Sequence, residues 1–261
     1  NSMGNLSAIK INDGLIRINE RNEQGLNVDA WLVLGNEKAV LIDAVQDTIL
    51  LHEMVTSLTH LPLEVIITHG HPDHAGKGLR AFMEHGVPVY IHPDDRPLLQ
   101  KRNLFTTEET EQMLSLTEGM QFELGNRTLE ILECAGHTPG SICVMDFNRQ
   151  EVFTGDAIGS GVFWMQLEES LEMHAFVENL LHFKQNLVGM KDMIIYPGHI
   201  DQQTCQMGMQ YIDDILHICS KLCTDGACGE AGEMELDGTK LFYRGIGYGQ
   251  LHLMLYNPEK L

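Results

Sequence analysis

The chain has 261 residues, 43% hydrophobic and 21% charged, a size and composition that one large α/β or β-rich domain can hold. Its 17 Lys and Arg against 37 Asp and Glu leave a net charge of −20, which repels phosphate backbones and argues against a nucleic-acid binder. The longest unbroken apolar run, residues 30–34, is too short to cross a bilayer, and the opening residues lack the pattern of a signal peptide, so a cytoplasmic protein is expected, free of membrane.

In chain order, residues 30–34 and 39–42 read as two strands around the turn Gly35-Asn36-Glu37-Lys38. Apolar residues at Ile49, Leu50, Met54, Leu58 and Leu61 recur at helical spacing, which predicts a helix over 47–60 with Asp47 at its N-cap. A buried strand over 64–68, a loop over 69–74, a helix to 85, a strand over 87–91 and a short helix over 93–100 follow. Residues 103–118 read as a helical excursion. From 120 to 154 the pattern returns to strands, with turns at Gly125-Asn126 and Asn148-Arg149. A long amphipathic helix is predicted over 168–190, a strand over 193–196, a helix over 204–221, and a Gly-rich stretch over 226–249 that ends in the apolar segment 251–256. This loose doubling suits two facing sheets with helices outside, in a single domain over 1–261 whose residues 204–261 form a helical and Gly-rich extension.

Six cysteines without an export signal read as reduced thiols. Cys219, Cys223 and Cys228 cluster, but not at C-x2-C spacing, so buried or locally reactive thiols are expected there in preference to a structural zinc site.

The stretch Thr68-His69-Gly70-His71-Pro72-Asp73-His74 packs three imidazoles and a carboxylate directly after a buried strand. Imidazole and carboxylate are donors for a borderline cation such as zinc, and a cation offsets the cost of crowding such groups. Further His and Asp recur in Gly-bearing turns at the ends of predicted strands: Gly136-His137-Thr138-Pro139-Gly140-Ser141, Thr154-Gly155-Asp156 and Tyr196-Pro197-Gly198-His199.

With these followers in order behind its H-x-H-x-D-H loop, the sequence resembles the metallo-β-lactamase superfamily over most of its length. The resemblance implies an αββα sandwich and a hydrolase of a small-molecule ester, thioester, lactone or related bond. Two divalent ions are implied, zinc foremost, with iron or manganese admissible. Carried over by motif, His69, His71 and His137 would hold the first ion, Asp73, His74 and His199 the second, and Asp156 would bridge them. A water shared by the two ions, its pKa lowered from 15.7 toward about 7, would be the nucleophile, with Asp73 and Asp156 as the catalytic carboxylates. The superfamily's early Leu-Ile-Asp-Thr-Gly appears here as Leu41-Ile42-Asp43-Ala44-Val45, making Asp43 a candidate to orient the metal loop from below. Ser141 reads as a turn residue or hydrogen-bond donor to that shell.

Motif variants narrow the activity. His71 stands where di-iron reductases of the superfamily carry Glu, and Asp156 where the best-known lactamases carry Cys. Thioesterases, lactonases and phosphodiesterases therefore fit better, with β-lactamase activity or a mono-iron persulfide dioxygenase as alternatives. After His199 only Lys221, Lys240, Arg244 and Lys260 supply positive charge, so the non-reacting part of the substrate is expected to be uncharged or apolar. Phe163, Trp164 and Met165, following Gly159-Ser160-Gly161, are candidates for the pocket wall, as are Tyr196 and Arg244, with closure of the core an equal reading for the three apolar residues. Oligomeric state is left open.

Overall fold

The computed structural model describes residues 1–101 and 104–261; the expected start of the 103–118 excursion lies outside them. Eight strands pair in chain order to form the first sheet: β1 (Ser2–Met3), β2 (Leu6–Asn12), β3 (Leu15–Arg21), β4 (Asn27–Leu34), β5 (Ala39–Ile42), β6 (Leu63–Ile66), β7 (Val89–Ile91) and β8 (Leu114–Ser115). Pairing is antiparallel up to β5 and parallel beyond it. The change follows from the connections, which now carry helices: α1 (Leu51–Leu58), α2 (Leu79–Glu84), and α3 (Arg96–Lys101) with α4 (Thr107–Gln112). The second sheet has β9 (Gln121–Glu123), β10 (Thr128–Glu133), β11 (Ile142–Asp146), β12 (Glu151–Gly155) and β14 (Ile194–Pro197) in the order β14-β12-β11-β10-β9.

Period-two alternation assigns the layers. Trp31, Val33, Val40, Ile42 and Ile66 face the second sheet and pack on Leu129, Ile131, Ile142, Val144 and Phe153. Their neighbours Ala30, Leu32, Ala39 and Leu41 turn the other way, onto Leu51, Met54 and Val55 of α1 and onto Leu79 and Phe82 of α2. On the far face of the second sheet Cys143, Met145 and Val152 meet Phe176, Leu180 and Phe183 of α5 (Met173–Gln185) and Ile212 and Ile215 of α6 (Met209–Thr224). The layers run helix, sheet, sheet, helix, as the sequence suggests.

A third, four-stranded sheet is an addition to that expectation. β13 (Val162–Met165) pairs in parallel with β17 (Leu251–Tyr256), which continues through β16 (Thr239–Tyr248) to β15 (Glu230–Leu236). The Gly-rich stretch is therefore strand, joined by a two-residue turn in which Asp237 and Gly238 both have positive φ, 50° and 78°. Helix expectations also differ: in the 103–118 excursion the helix is only Thr107–Gln112 and is followed by strand β8, α5 ends at Gln185, α6 runs from Met209 to Thr224, and two starts have a visible cause. α1 starts at Leu51, without a side-chain cap, because the backbone N–H of Asp47 donates to Glu20 of β3 together with those of Gln46 and Thr48. α5 starts at Met173, because the backbone N–H of Leu171 donates instead to the Gly136 carbonyl.

Strand direction then places the chemistry. β10, β12 and β14 run the same way, so their C-terminal ends present His137, Asp156 and His199 on one edge, where the loop after β6 presents His69 to His74.

Candidate metal centre

Donor atoms converge at that edge in two groups. One ring nitrogen from each of His69, His71 and His137 lies within 4.8 Å of the others, and so do one donor atom each from His69, Asp73, His74 and Asp156. Asp156 reaches both groups: its Oδ2 is 3.1 Å from His74 Nε2, 3.6 Å from His69 Nε2 and 3.8 Å from His137 Nε2. His199 completes the second group, with Nε2 3.1 Å from Asp73 Oδ2 and 3.4 Å from Asp156 Oδ2. All seven motif residues meet in one place.

Each imidazole is held from behind by its other nitrogen. His69 Nδ1 is 3.0 Å from the Thr68 hydroxyl, His74 Nδ1 2.9 Å from Asp43 Oδ2, His137 Nδ1 2.7 Å from the Trp164 carbonyl and His199 Nδ1 2.9 Å from the Asn27 carbonyl. His71 is turned the other way: Nδ1 faces His137 at 3.0 Å, and Nε2 is 2.6 Å from Glu169 Oε1. A ring tied at one nitrogen has its tautomer and plane fixed, and the free nitrogen is left for a cation.

Charge in the cluster divides along the same lines. Burial and the neighbouring imidazoles push His137 down to about 3, and burial with His74 lowers His69, so both rings stay neutral. Burial also opposes charge on His74 and His199, but the carboxylates around them outweigh it and raise both well above the ordinary range. Asp73 and Asp156 are held well below theirs, because the attraction of His74 and His199 overcomes the cost of burial. Buried His69 Nε2 and Asp156 Oδ1 have no hydrogen-bond partner. Unpaired buried donor atoms, neutral imidazoles and two ionised carboxylates are what a divalent cation would satisfy, and the residues fit the ions that the motif implies.

Supports for these loops come from several places. Asp43, with a left-handed backbone (φ 69°), accepts from the Thr68 N–H and hydroxyl as well as facing His74. Val45 is also left-handed (φ 51°) and buried, at the position where the motif has Gly; for a β-branched residue this costs about 1–2 kcal/mol. Gly198 has no room for a side chain, since a Cβ would stand 2.5 Å from both Asp156 Oδ1 and His74 Cε1. Among the described residues the Ser141 hydroxyl bonds to Thr138 and to no ligand: it lies 2.7 Å from the Thr138 hydroxyl and accepts from the Thr138 N–H.

Two buried acids that no motif marks complete the frame. Asp95 accepts from the Gly70 N–H at 2.9 Å, the Thr138 hydroxyl at 2.7 Å and the Gly140 N–H at 2.7 Å, so one carboxylate joins the His69 loop to the His137 loop. Asp29 accepts from Arg17, Asn19 and the Ile200 N–H and so fixes the turn that carries His199.

A cavity of about 290 Å³ opens over the donors, walled by His71, Asp73, His137, Asp156 and His199 and by Val162, Trp164, Leu167 and Leu236. The candidate wall residues divide by strand alternation. Trp164, 37% exposed, faces the cavity, whereas Phe163 and Met165 point into the core, Phe163 against Phe176. Tyr196, expected on the wall, lies in the core: its ring stacks on Phe153 and is tilted against Trp31, and burial with Glu151 pushes its hydroxyl up to about 12. Arg244, also expected there, is absent from the cavity wall, and its guanidinium donates to the Ala227 and Gly229 carbonyls. A second cavity of about 440 Å³ adjoins the first across Leu167 and Leu236 and includes Lys101, Glu169 and Leu241 in its wall. The cysteines at 219, 223 and 228 are free, the first buried and the second exposed, and none is among the converging donors.

Comparison with known proteins agrees with the geometry. Residues 24–199 match the family model described as the metallo-beta-lactamase superfamily. Acyl-coenzyme A thioesterase MBLAC2 of Homo sapiens is 26% identical over 257 residues, covering 82% of this chain and 89% of its own. Atrochrysone carboxyl ACP thioesterase nsrC of Aspergillus novofumigatus is 27% identical over 165 residues, 58% of this chain and 46% of its own. Among solved structures, a metallo-beta-lactamase from Pontibacter korlensis superposes with a TM-score of 0.64 at 20% identity, covering 82% of this chain and all but 1% of its own length, a likeness of fold alone. On the matched residues, the fold and the assembled donor set, the chain belongs to the metallo-β-lactamase superfamily, as one of its hydrolases.

Proposed function

We propose that this hydrolase cleaves acyl thioesters at a two-metal site, with His69, His71 and His137 holding one divalent ion, Asp73, His74 and His199 a second, and Asp156 touching both. The observation that carries the reading is the set of five imidazoles, each tied at its outward nitrogen, around two carboxylates. Zinc suits these donors best, with iron or manganese admissible. Bound there, the ions would polarise the thioester carbonyl and bring the pKa of a shared water down toward about 7. Asp73 and Asp156 stand on the cavity wall as ionised carboxylates, where they would hold the ions and orient the attacking water.

The thioester is favoured by the two relatives named as thioesterases and by the apolar wall of Val162, Trp164, Leu167 and Leu236, which suits an acyl chain. Six free cysteines support the cytoplasmic location, and no described helix is long and apolar enough to cross a membrane. Purified protein assayed against thioesters, lactones, β-lactams and phosphodiesters should prefer thioesters by at least about tenfold in kcat/KM. A larger value for any other class would overturn the reading. With the acyl group held constant, a neutral N-acetylcysteamine ester should outpace its coenzyme A counterpart at low salt, because a net charge of −20 repels a polyanion, and the gap should close as salt is added.

Metal content is a separate check. Protein purified without chelator should carry close to two transition-metal ions per chain, since two donor groups converge and His199 joins the second. One iron per chain, with oxygen consumed on persulfides, would favour the mono-iron dioxygenase. Trp164→Ala should lower kcat/KM for an apolar acyl thioester by about tenfold, or ~1.4 kcal/mol, without changing metal content. An unchanged value would remove Trp164 from the substrate wall.

A further inference from the structure

His71 is the one site imidazole that presents Nδ1 to the other ligands, and it is the one whose outward nitrogen meets Glu169. The contact is 2.6 Å long and nearly buried, with side chains 9% and 12% exposed. No motif contains Glu169; it lies in the stretch that leaves the expected helix before Met173.

That stretch is fastened where it matters. The Ser170 hydroxyl donates to the His137 carbonyl at 2.9 Å, the Leu171 N–H donates to the Gly136 carbonyl at 2.8 Å, and the Lys260 ammonium donates to the carbonyls of Leu167, Glu168 and Ser170. The same segment therefore holds the backbone of one ligand, His137, and the ring of another, His71.

We propose that Glu169 is the positioning residue for His71: its carboxylate accepts a hydrogen bond from the Nε2–H, fixes the tautomer that leaves Nδ1 bare, and so sets the affinity of the His69, His71 and His137 site. The proposal rests on the two-metal reading and deepens it. A carboxylate behind an imidazole fixes the plane of the ring and makes its other nitrogen a stronger donor. Without it, His71 can hold its proton on Nδ1 and turn that proton toward the place where the cation would sit. The second group, Asp73, His74 and His199, has its own supports in Asp43 and the Asn27 carbonyl and does not depend on Glu169.

The test is titration of chelator-stripped protein with Zn2+ and, separately, with Co2+, followed by calorimetry and by the cobalt absorption bands, for the unaltered chain, Glu169→Ala and Glu169→Gln. For the unaltered chain two binding events are expected. Glu169→Ala should weaken one of them by about 10–100-fold and leave the other within about twofold. Glu169→Gln keeps an oxygen that accepts from Nε2, so it should recover most of the loss and restore the cobalt spectrum, which a loop needed only for folding would not do. Two unchanged events in Glu169→Ala, or equal weakening of both in Glu169→Ala and Glu169→Gln alike, would overturn the proposal. Should Glu169→Ala fail to fold, Glu169→Gln decides: two events with one weakened by less than about tenfold support the assignment, and loss of both refutes it. Absence of uptake by the unaltered chain would instead defeat the two-metal reading itself, and this assignment with it.

Discussion

Asp156→Ala is expected to lower the affinity of both metal positions and to cut kcat/KM on the best thioester by about 10⁴-fold, which at 1.36 kcal/mol per tenfold is about 5.5 kcal/mol of transition-state stabilisation. Its Oδ2 lies within reach of imidazoles from both groups, at 3.1 Å from His74 and 3.6 Å from His69, so its loss is felt by both. His199→Ala removes a donor from the second group alone and should lower occupancy there while the first ion is retained. Elemental analysis of the two variants, purified side by side without chelator, separates the roles. Equal occupancy in both, unchanged from the unaltered chain, would show that Asp156 holds neither ion.

The second large effect is on stability and concerns a residue far from the water. Asp95→Ala leaves the Gly70 N–H, the Gly140 N–H and the Thr138 hydroxyl buried without their acceptor, and three such losses in a place with no solvent cost about 3 kcal/mol after relaxation. For a chain of this size that lowers the unfolding midpoint by roughly 6–12 °C. Asp95→Asn keeps one acceptor oxygen and turns an NH2 toward the other donors, so an intermediate fall is expected. The measurement is thermal unfolding of metal-free protein, so that lost ions do not contribute. An unmoved midpoint in Asp95→Ala would mean that the two ligand loops hold their shape without the link.

How much of this was legible beforehand depended on whether the signal was local. His69, His71, Asp73 and His74 are neighbours in the chain, and His137, Asp156 and His199 each follow a strand in a Gly-bearing turn, so the local motifs carried the family resemblance that implied all seven. Asp95, Asp29, Glu20 and Glu169 had no such company. Each is a single acid whose role exists only because distant loops arrive beside it, and a lone Asp or Glu ordinarily reads as surface. Strand alternation could have sorted the pocket candidates, because Val162 and Trp164 share a face that Phe163 and Met165 cannot. The C-terminal hairpin also carried a readable sign: Glu233-Met234-Glu235-Leu236 alternates, and Asp237-Gly238 is the dipeptide that a two-residue turn with two positive φ values requires. Its high glycine content hid that sign, since glycine is depleted in strands and these strands have a half-open face.

The donors come from both halves of the sandwich, four from the loop after β6 and three from the ends of β10, β12 and β14, and among the described residues no ladder joins the two sheets. An ion seated there is therefore a rivet between halves otherwise joined by packing and side-chain bonds. By mass action each ion that binds only the folded chain adds RT ln(1 + [L]/Kd), about 4 kcal/mol when free metal exceeds Kd a thousandfold. The enzyme's lifetime would then follow the supply of metal as closely as its turnover does, and a cell short of the ion would lose the protein itself to unfolding and proteolysis, beyond the idling of its active site.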